Sequence, residues 1–343
     1  MKRITFLNLF FWAIFVIIPG LAWSEPEIYH SMEEKKNAGV MANISDSITL
    51  GGVVEVEAGF VNEDDTVKGD SSDISLVTAE IGLEARVNRN VEAKMLLLYE
   101  DGEDFTVDEG TITMTGPYGE YLTVGKMYVP FGVFNSHFIS DPLTLELGET
   151  NETALIIGYS KDMIDFSAGV FNGDIDEAGE DDKADDYVAS IKVTPVEGIT
   201  FGASYISDIS DTDAEITVAF GNISSQGNTE IVAGYSAFIS ASFGPVTLEA
   251  EYLTAAEKFN AADITIEPQP STFNIELAYA ISEAAEIAIR YEGAEDFEIE
   301  KQYGIAYSRE LYENTSFALE YIAGEYENDD ERTAVTAQLA IEF

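Results

Sequence analysis

Between Thr272 and Ile281 every second residue is apolar: Phe273, Ile275, Leu277, Tyr279 and Ile281 alternate with Thr272, Asn274, Glu276, Ala278 and Ala280. A period of two sends the two sets to opposite faces of an extended chain, so the stretch is a strand with one greasy and one mostly polar face. The same template fits Ile199, Phe201, Ala203 and Tyr205 around Thr200, Gly202 and Ser204, and Val246, Leu248, Ala250 and Tyr252 around Thr247, Glu249 and Glu251. It fits again at Ile287, Ile289 and Tyr291 around Glu286, Ala288 and Arg290. The pattern persists from about residue 47 to the last residue, with no convincing helical period. The chain reads as all-β.

Turn chemistry gives the topology. Short connections at 88–90, 115–119, 161–162, 196–197, 244–245, 282–284 and 310–314 alternate strictly with long or charged ones near 61–72, 102–105, 130–152, 173–185, 209–229, 256–270, 295–298 and 327–331. The strands expected between them lie near 47–60, 73–87, 90–101, 106–114, 120–129, 153–160, 163–172, 186–195, 198–208, 230–243, 246–255, 271–281, 285–294, 299–309, 315–326 and 332–343. That is an antiparallel up-and-down count of sixteen, with fourteen to eighteen compatible with the pattern. An even number of strands with tight turns at one rim and long loops at the other is the transmembrane β-barrel pattern, the tight turns facing the periplasm.

The N-terminus points to export. Lys2 and Arg3 precede an apolar run from Ile4 to Ile18, Pro19-Gly20 breaks it, and Ala22-Trp23-Ser24 offers small residues before a cut. This reads as a Sec signal peptide over 1–24, cleaved between Ser24 and Glu25, followed by a short periplasmic segment over 25–46 and a barrel over 47–343. The run is too short for a spanning helix, which needs about 20 residues. With 17 Lys plus Arg against 64 Asp plus Glu, the formal charge is −47, which opposes nucleic-acid binding. With no Cys, disulfide frameworks, thiolate metal sites and cysteine nucleophiles are excluded.

A soluble sandwich would hide two apolar faces against each other, whereas the second face here is rich in Gly, Ser, Thr and Glu, as a wet lumen requires. Glu55, Glu57, Glu80, Glu84, Glu92, Glu249, Glu251, Glu276, Glu286 and Glu292 all fall on it. Tyr205, Tyr252 and Tyr291 lie near the loop-side ends of their strands, where an aromatic girdle meets the membrane interface. The last strand alternates through Val335, Ala337, Leu339 and Ile341 and stops on Phe343, like the signal used by the outer-membrane assembly machinery.

Two stretches carry a family resemblance. Gly125-Lys126-Met127-Tyr128-Val129-Pro130-Phe131-Gly132, followed by His137-Phe138-Ile139-Ser140-Asp141-Pro142-Leu143-Thr144-Leu145-Glu146-Leu147-Gly148-Glu149-Thr150, resembles the signature of the LbtU-type siderophore porins. Leu50 to Glu57 and Phe171 to Asp174 are similar to that family too. The resemblance implies a Gram-negative outer-membrane barrel associated with uptake of ferric siderophore. The segment before the barrel, Glu25 to Asn43, is shorter than is usual in that family.

The same residues carry a reading of their own. Pro130 ends the fifth strand by removing a ladder donor, and the connection after it is the longest in the chain. Phe138, Ile139, Leu143, Leu145 and Leu147 are too apolar for a freely solvated loop, so this third loop is expected to fold into the barrel and narrow it. The alternative is an extracellular flap over the mouth. His137, Asp141, Glu146, Glu149 and Glu152 are then the constriction and substrate-contact candidates. The wall candidates are Glu80, Glu84, Arg86, Glu92, Lys94, Lys126, Glu249, Glu251, Glu276, Glu286 and Arg290. Calcium suits loop carboxylates, but the spacing matches no defined calcium loop, so no metal and no cofactor is assigned.

The histidines are His30 in the N-terminal segment and His137 in the third loop. Ser136, His137 and Asp141 offer the parts of a hydrolase, but a triad is recognised by geometry and not adjacency, and the chain is expected not to be an enzyme. The acids from Asp174 to Asp182 read as a solvated loop beside lipopolysaccharide. The expected function is a passive, substrate-preferring outer-membrane porin with an acidic, cation-selective lumen. It would take ferric siderophore or small cationic solutes and would associate as a homotrimer. A general cation-selective diffusion porin and an outer-membrane hydrolase are the alternatives.

Overall fold

The computed structural model describes residues 47–63, 70–102, 104–173, 184–214, 231–259, 268–297, 299–326, 328 and 330–343. The expected signal peptide, its Ser24–Glu25 cut, the 25–46 segment, His30 and the acids from Asp174 to Asp182 lie outside them. The strands are β1 (Ile48–Glu63), β2 (Ser71–Asn88), β3 (Val91–Glu100), β4 (Thr106–Thr115), β5 (Glu120–Tyr128), β6 (Asn151–Lys161), β7 (Ile164–Phe171) and β8 (Asp186–Val196). They continue as β9 (Ile199–Ile206), β10 (Gly234–Phe243), β11 (Val246–Ala255), β12 (Ser271–Ser282), β13 (Ala285–Glu295), β14 (Ile299–Tyr312), β15 (Thr315–Tyr326) and β16 (Glu331–Glu342). A six-residue helix, α1 (Leu143–Gly148), interrupts the third loop.

Each strand pairs antiparallel with its sequence neighbours, and β1 closes on β16 from Val53 opposite Glu342 to Glu63 opposite Arg332. The seam continues past the last strand residue: Gly52 N donates to Phe343 O at 2.8 Å and Phe343 N to Gly52 O at 3.0 Å. The closed barrel has no free edge, which satisfies every backbone group a bilayer leaves without water. At the tight rim the turns close on residues in the left-handed region, with φ of 55° at Asp162, 79° at Gly198, 61° at Gly244 and 58° at Asn314. Such turns match the twist of the flanking strands.

The alternation resolves as expected on the outside. Ile275, Leu277, Tyr279, Ile289, Tyr291, Leu339 and Ile341 are exposed, while Asn274, Glu276, Arg290, Glu292 and Gln338 are buried inside. Tyr205 stacks with Tyr187 at 5.8 Å and meets Tyr235 at 5.3 Å on the outer face near the loop-side rim. The interior departs from a uniformly wet lumen. Val129, Phe131, Phe134, Leu145, Leu147, Phe171, Ile206, Ile209 and Leu253 form an apolar core near the long-loop rim. That core exists because the third loop and a 3-10 turn at Ile209–Asp211 both fold inward and bury their apolar side chains together.

Candidate functional site: a loop racked on carboxylates inside the barrel

The third loop lies against one side of the barrel, and inward glutamates of four strands hold its backbone. Glu251 on β11 accepts from Val133 N at 3.0 Å and Phe134 N at 2.7 Å, and Glu249 accepts from Asn135 Nδ2 at 3.0 Å. Glu276 on β12 accepts from His137 N at 2.6 Å. Glu292 on β13 accepts from Leu143 N at 2.7 Å, and Glu320 on β15 accepts from Ile139 N at 2.8 Å and Ser140 N at 3.0 Å. A loop pressed onto a wall leaves its N–H groups without water, and ionised acceptors make the strongest replacement. An acidic inner face is therefore what lets an irregular segment lie inside the barrel.

Arg290 on β13 ties rack and loop together. Its Nε donates to Glu276 at 2.9 Å and its Nη1 to Glu292 at 3.2 Å, with all three side chains fully buried. The same guanidinium donates to Ser140 O at 2.9 Å, to Asp141 O at 3.3 Å and to Ser136 Oγ. Beneath it, Phe138 fills a socket of Ala278, Ala288, Ala306 and Ile322. Gly304 completes the socket, since a Cβ there would come within 2.7 Å of Phe138 Cε1. The His137 ring meets Glu286 at 2.7 Å through Nδ1. Burial lowers the basicity of that imidazole, but the Glu286 carboxylate, with Glu276 and Glu249 behind it, outweighs burial and raises its pKa. Burial pushes the Glu149 carboxyl well above the usual carboxylate range, and Asp213, Asp141 and Asp108 push in the same direction. Burial likewise raises Asp208, beside the 3-10 turn, to about 6.

Opposite the rack a cavity of about 530 Å³ remains between the loop and the wall of β3 to β10. Thr111, Thr113, Thr123, Ser167, Ser190 and Thr200 line it with hydroxyls, and Glu92, Lys94, Glu109, Glu149, Asp165 and Lys192 are its ionisable residues. The hydroxyls pair across strands, Thr113 with Thr123 at 3.1 Å and Ser167 with Ser190 at 2.8 Å. A paired hydroxyl can still donate or accept once more, so this wall suits polar solutes of either character.

The expected residues therefore divide. Asp141 and Glu149 are buried within the inserted loop, Glu146 is half-buried in the first turn of α1, and Glu152 stands opposite Met127 on β6. Glu249, Glu251, Glu276, Glu286 and Arg290 do face inward, but they lie against the loop and the open space is elsewhere. Glu92 and Lys94 reach the cavity, and Lys94 pairs with Glu109 at 2.8 Å. Glu80 is buried on the inner face of β2. Arg86 stays near the tight-turn rim, 3.7 Å from Glu84 and 3.9 Å from Glu92, with 62% of its side chain exposed. Lys126 corrects the sequence reading. It pairs with Gly110 and Thr153 and shares the parity of Leu122 and Val124, which puts it on the outer face. Its ammonium donates to the Val107 carbonyl at 3.2 Å. Counting inward positions from Met127 would have excluded it. Glu320, Glu109, Asp165 and Lys192 were missed, although period-two counting alone puts Lys192 on the face of Ser190.

A closed sixteen-stranded antiparallel barrel with an inserted third loop is the architecture of an outer-membrane porin-type channel. The family model described as Gram-negative porin matches residues 37–331. The chain belongs to the Gram-negative porin family, and its place is the outer membrane. It is 23% identical to a UPF0422 protein of Coxiella burnetii over 86% of this chain and 68% of that protein. It is 25% identical to a UPF0422 protein of Legionella pneumophila over 71% of this chain, about half the length of that relative, 52%. Among solved structures it superposes on an anion-selective porin from Comamonas acidovorans with TM-score 0.66, at 12% identity, over 87% of this chain and 99% of that one. Salmonella typhi OmpF, in a complex with daunomycin, gives TM-score 0.62 at 12% identity over 87% and 98%. A trimer form of OmpT, an outer membrane protein of Vibrio cholerae, gives 0.56 at 12% over 87% and 100%.

Proposed function

We propose that this barrel is a passive, substrate-preferring diffusion porin whose solutes cross between the third loop and the hydroxyl wall of β3 to β10. The observation that carries the reading is the one-sided docking of the loop, which leaves a cavity of about 530 Å³ with hydroxyls and charges on its barrel wall and apolar side chains such as Phe131, Val133 and Leu145 on its loop side. Ferric siderophore is the proposed preferred cargo, on the strength of the resemblance at 125–150. A general diffusion porin for small polar solutes is the second reading, favoured by hydroxyls that discriminate little between donors and acceptors.

The selectivity proposed is for cations. The rack carboxylates outnumber Arg290 and His137, and a low-dielectric wall extends their field into the lumen. Loop charges outside are screened beyond a Debye length of about 8 Å at physiological ionic strength. Export by the Sec pathway with cleavage after Ser24, assembly through Phe343 and association as a homotrimer beside lipopolysaccharide complete the proposal. Hydrolysis is disfavoured by geometry: Ser136 Oγ is engaged by Arg290 Nη2 and the His137 ring by Glu286, so the two form no nucleophile and base pair.

Planar-bilayer recording with the purified protein tests both parts. Under a KCl gradient the reversal potential should have the cation-selective sign and shrink as salt rises. A ferric siderophore should block current at lower concentration than an iron-free polyol of similar size. An anion-selective wild type would sink the cation reading, and equal block would leave the general porin.

A further inference from the structure

We propose that the hydroxyl wall carries a subsite for small zwitterions with an apolar body, such as amino acids, built by Lys192, Asp165 and Phe238. This rests on the reading of the barrel as a diffusion porin and names a solute class for the same path. Register places the three on one level. Lys192 on β8 pairs with Asp165 on β7 and with Gly202 on β9, and Gly202 pairs with Phe238 on β10. A Cβ on Gly202 would stand 2.6 Å from Phe238 Cε1, so the ring lies across the glycine beside Lys192. All three side chains line the cavity and are half-buried.

The two charges attract each other without closing into an ion pair. Lys192 lies in the field of Asp165 and Glu251, yet among the described residues no ion pair within 4 Å joins it to either. Glu251 is already engaged by Val133 N, Phe134 N and Ser236 Oγ. Ser160 and Tyr121 present their hydroxyls toward Asp165. The contrast is the neighbouring Lys94 and Glu109, closed on each other at 2.8 Å. Cross-strand neighbours stand about 5 Å apart at Cβ, so an ammonium and a carboxylate there can each meet the opposite group of one small molecule. A simple anion meets Lys192 but is repelled by Asp165, and a simple cation meets the reverse. A zwitterion is attracted at both ends, and Phe238 offers its face to the remainder.

The test is single-channel block by three related probes: phenylalanine, phenylalaninamide as cation and N-acetylphenylalanine as anion. Phenylalanine should occlude at the lowest concentration. Lys192→Met should remove its advantage over the amide, and Asp165→Asn its advantage over the acetyl compound, each by about tenfold, the scale of one charge-assisted contact. Phe238→Leu should weaken phenylalanine more than glycine. Equal block by zwitterion and anion, or an unchanged Lys192→Met channel, overturns the subsite. Potassium chloride conductance of each variant shows that the barrel is assembled, and absence of any conductance from the wild type would instead overturn the porin reading.

Discussion

The Arg290 guanidinium stands 4.3 Å from the centroid of the Phe138 ring. One cation thus caps the aromatic plug of the third loop while neutralising Glu276 and Glu292 and donating hydrogen bonds to the loop carbonyls of Ser140 and Asp141. Removing it as Arg290→Met would leave two buried carboxylates without their cation, a loss of about 3–5 kcal/mol. The expected result is a released loop: higher and noisier conductance, and cleavage by proteinase K between residues 133 and 143. Arg290→Lys should fall between, because an ammonium lacks the planar fork that reaches carboxylates and carbonyls together. A variant with wild-type conductance and protease resistance would show that the guanidinium does not hold the loop.

Emptying the socket should act more locally. Phe138→Ala deletes a fully buried ring, a change that costs about 3–5 kcal/mol in well-packed sites. Its noise should resemble that of the Arg290 variant, while heat-resistant β-structure in detergent stays intact, since the barrel hydrogen bonds are untouched.

The loop should loosen as pH rises. His137 has a raised pKa in the docked loop, so its protonated pair with Glu286 contributes fully below the ordinary imidazole value of about 6.5 and is lost as pH climbs through the raised value. Glu149 and Asp208, raised by burial, act in the same sense, because the docked arrangement holds protons that a released loop would give up. Open-channel noise recorded from mildly acidic to alkaline pH should therefore increase, and His137→Asn should flatten the portion near neutrality. A quieter channel at alkaline pH would contradict the assignment.

Lys126 lies on the lipid-facing side, opposite Gly110 and Thr153. Lys126→Gln should leave the reversal potential in a KCl gradient unchanged, whereas Lys192→Gln should make the channel more cation-selective. A shift with Lys126→Gln would mean that β5 faces the other way.

Strand order and facing were legible because a barrel imposes one rule on every strand. Thr272 to Ile281 needed only its alternation to be placed, and the expected 246–255 and 315–326 match β11 and β15 as observed. The inward fold of the third loop was legible from Phe138, Leu143 and Leu147, which no solvated loop would expose. What those side chains dock against was not legible. Period-two counting gives Glu276 and Glu292 the same inward label as Thr113 or Ser190. Only the loop's path decides which of them become acceptors for backbone N–H groups and which meet solute. The charge of Lys126 suggests a wall cation near the constriction, but its parity with Val124 sets it outside. The apolar core around Phe171, Ile206 and Leu253 was hidden for a similar reason: these residues lie at or near strand ends on the inward face, and nothing local says that a loop will cover them.

The third loop is racked on β11 to β15 and leaves the opposite wall open. The chain has no Cys, so single introduced thiols report accessibility without background. Thr113→Cys and Ser190→Cys should react rapidly with a charged, water-soluble methanethiosulfonate and reduce single-channel current, while Ala278→Cys and Ala306→Cys, under Phe138, should not react until Arg290 is replaced. Fast modification and block at Ala278 and Ala306 in the wild-type background, with Thr113 and Ser190 silent, would contradict the account.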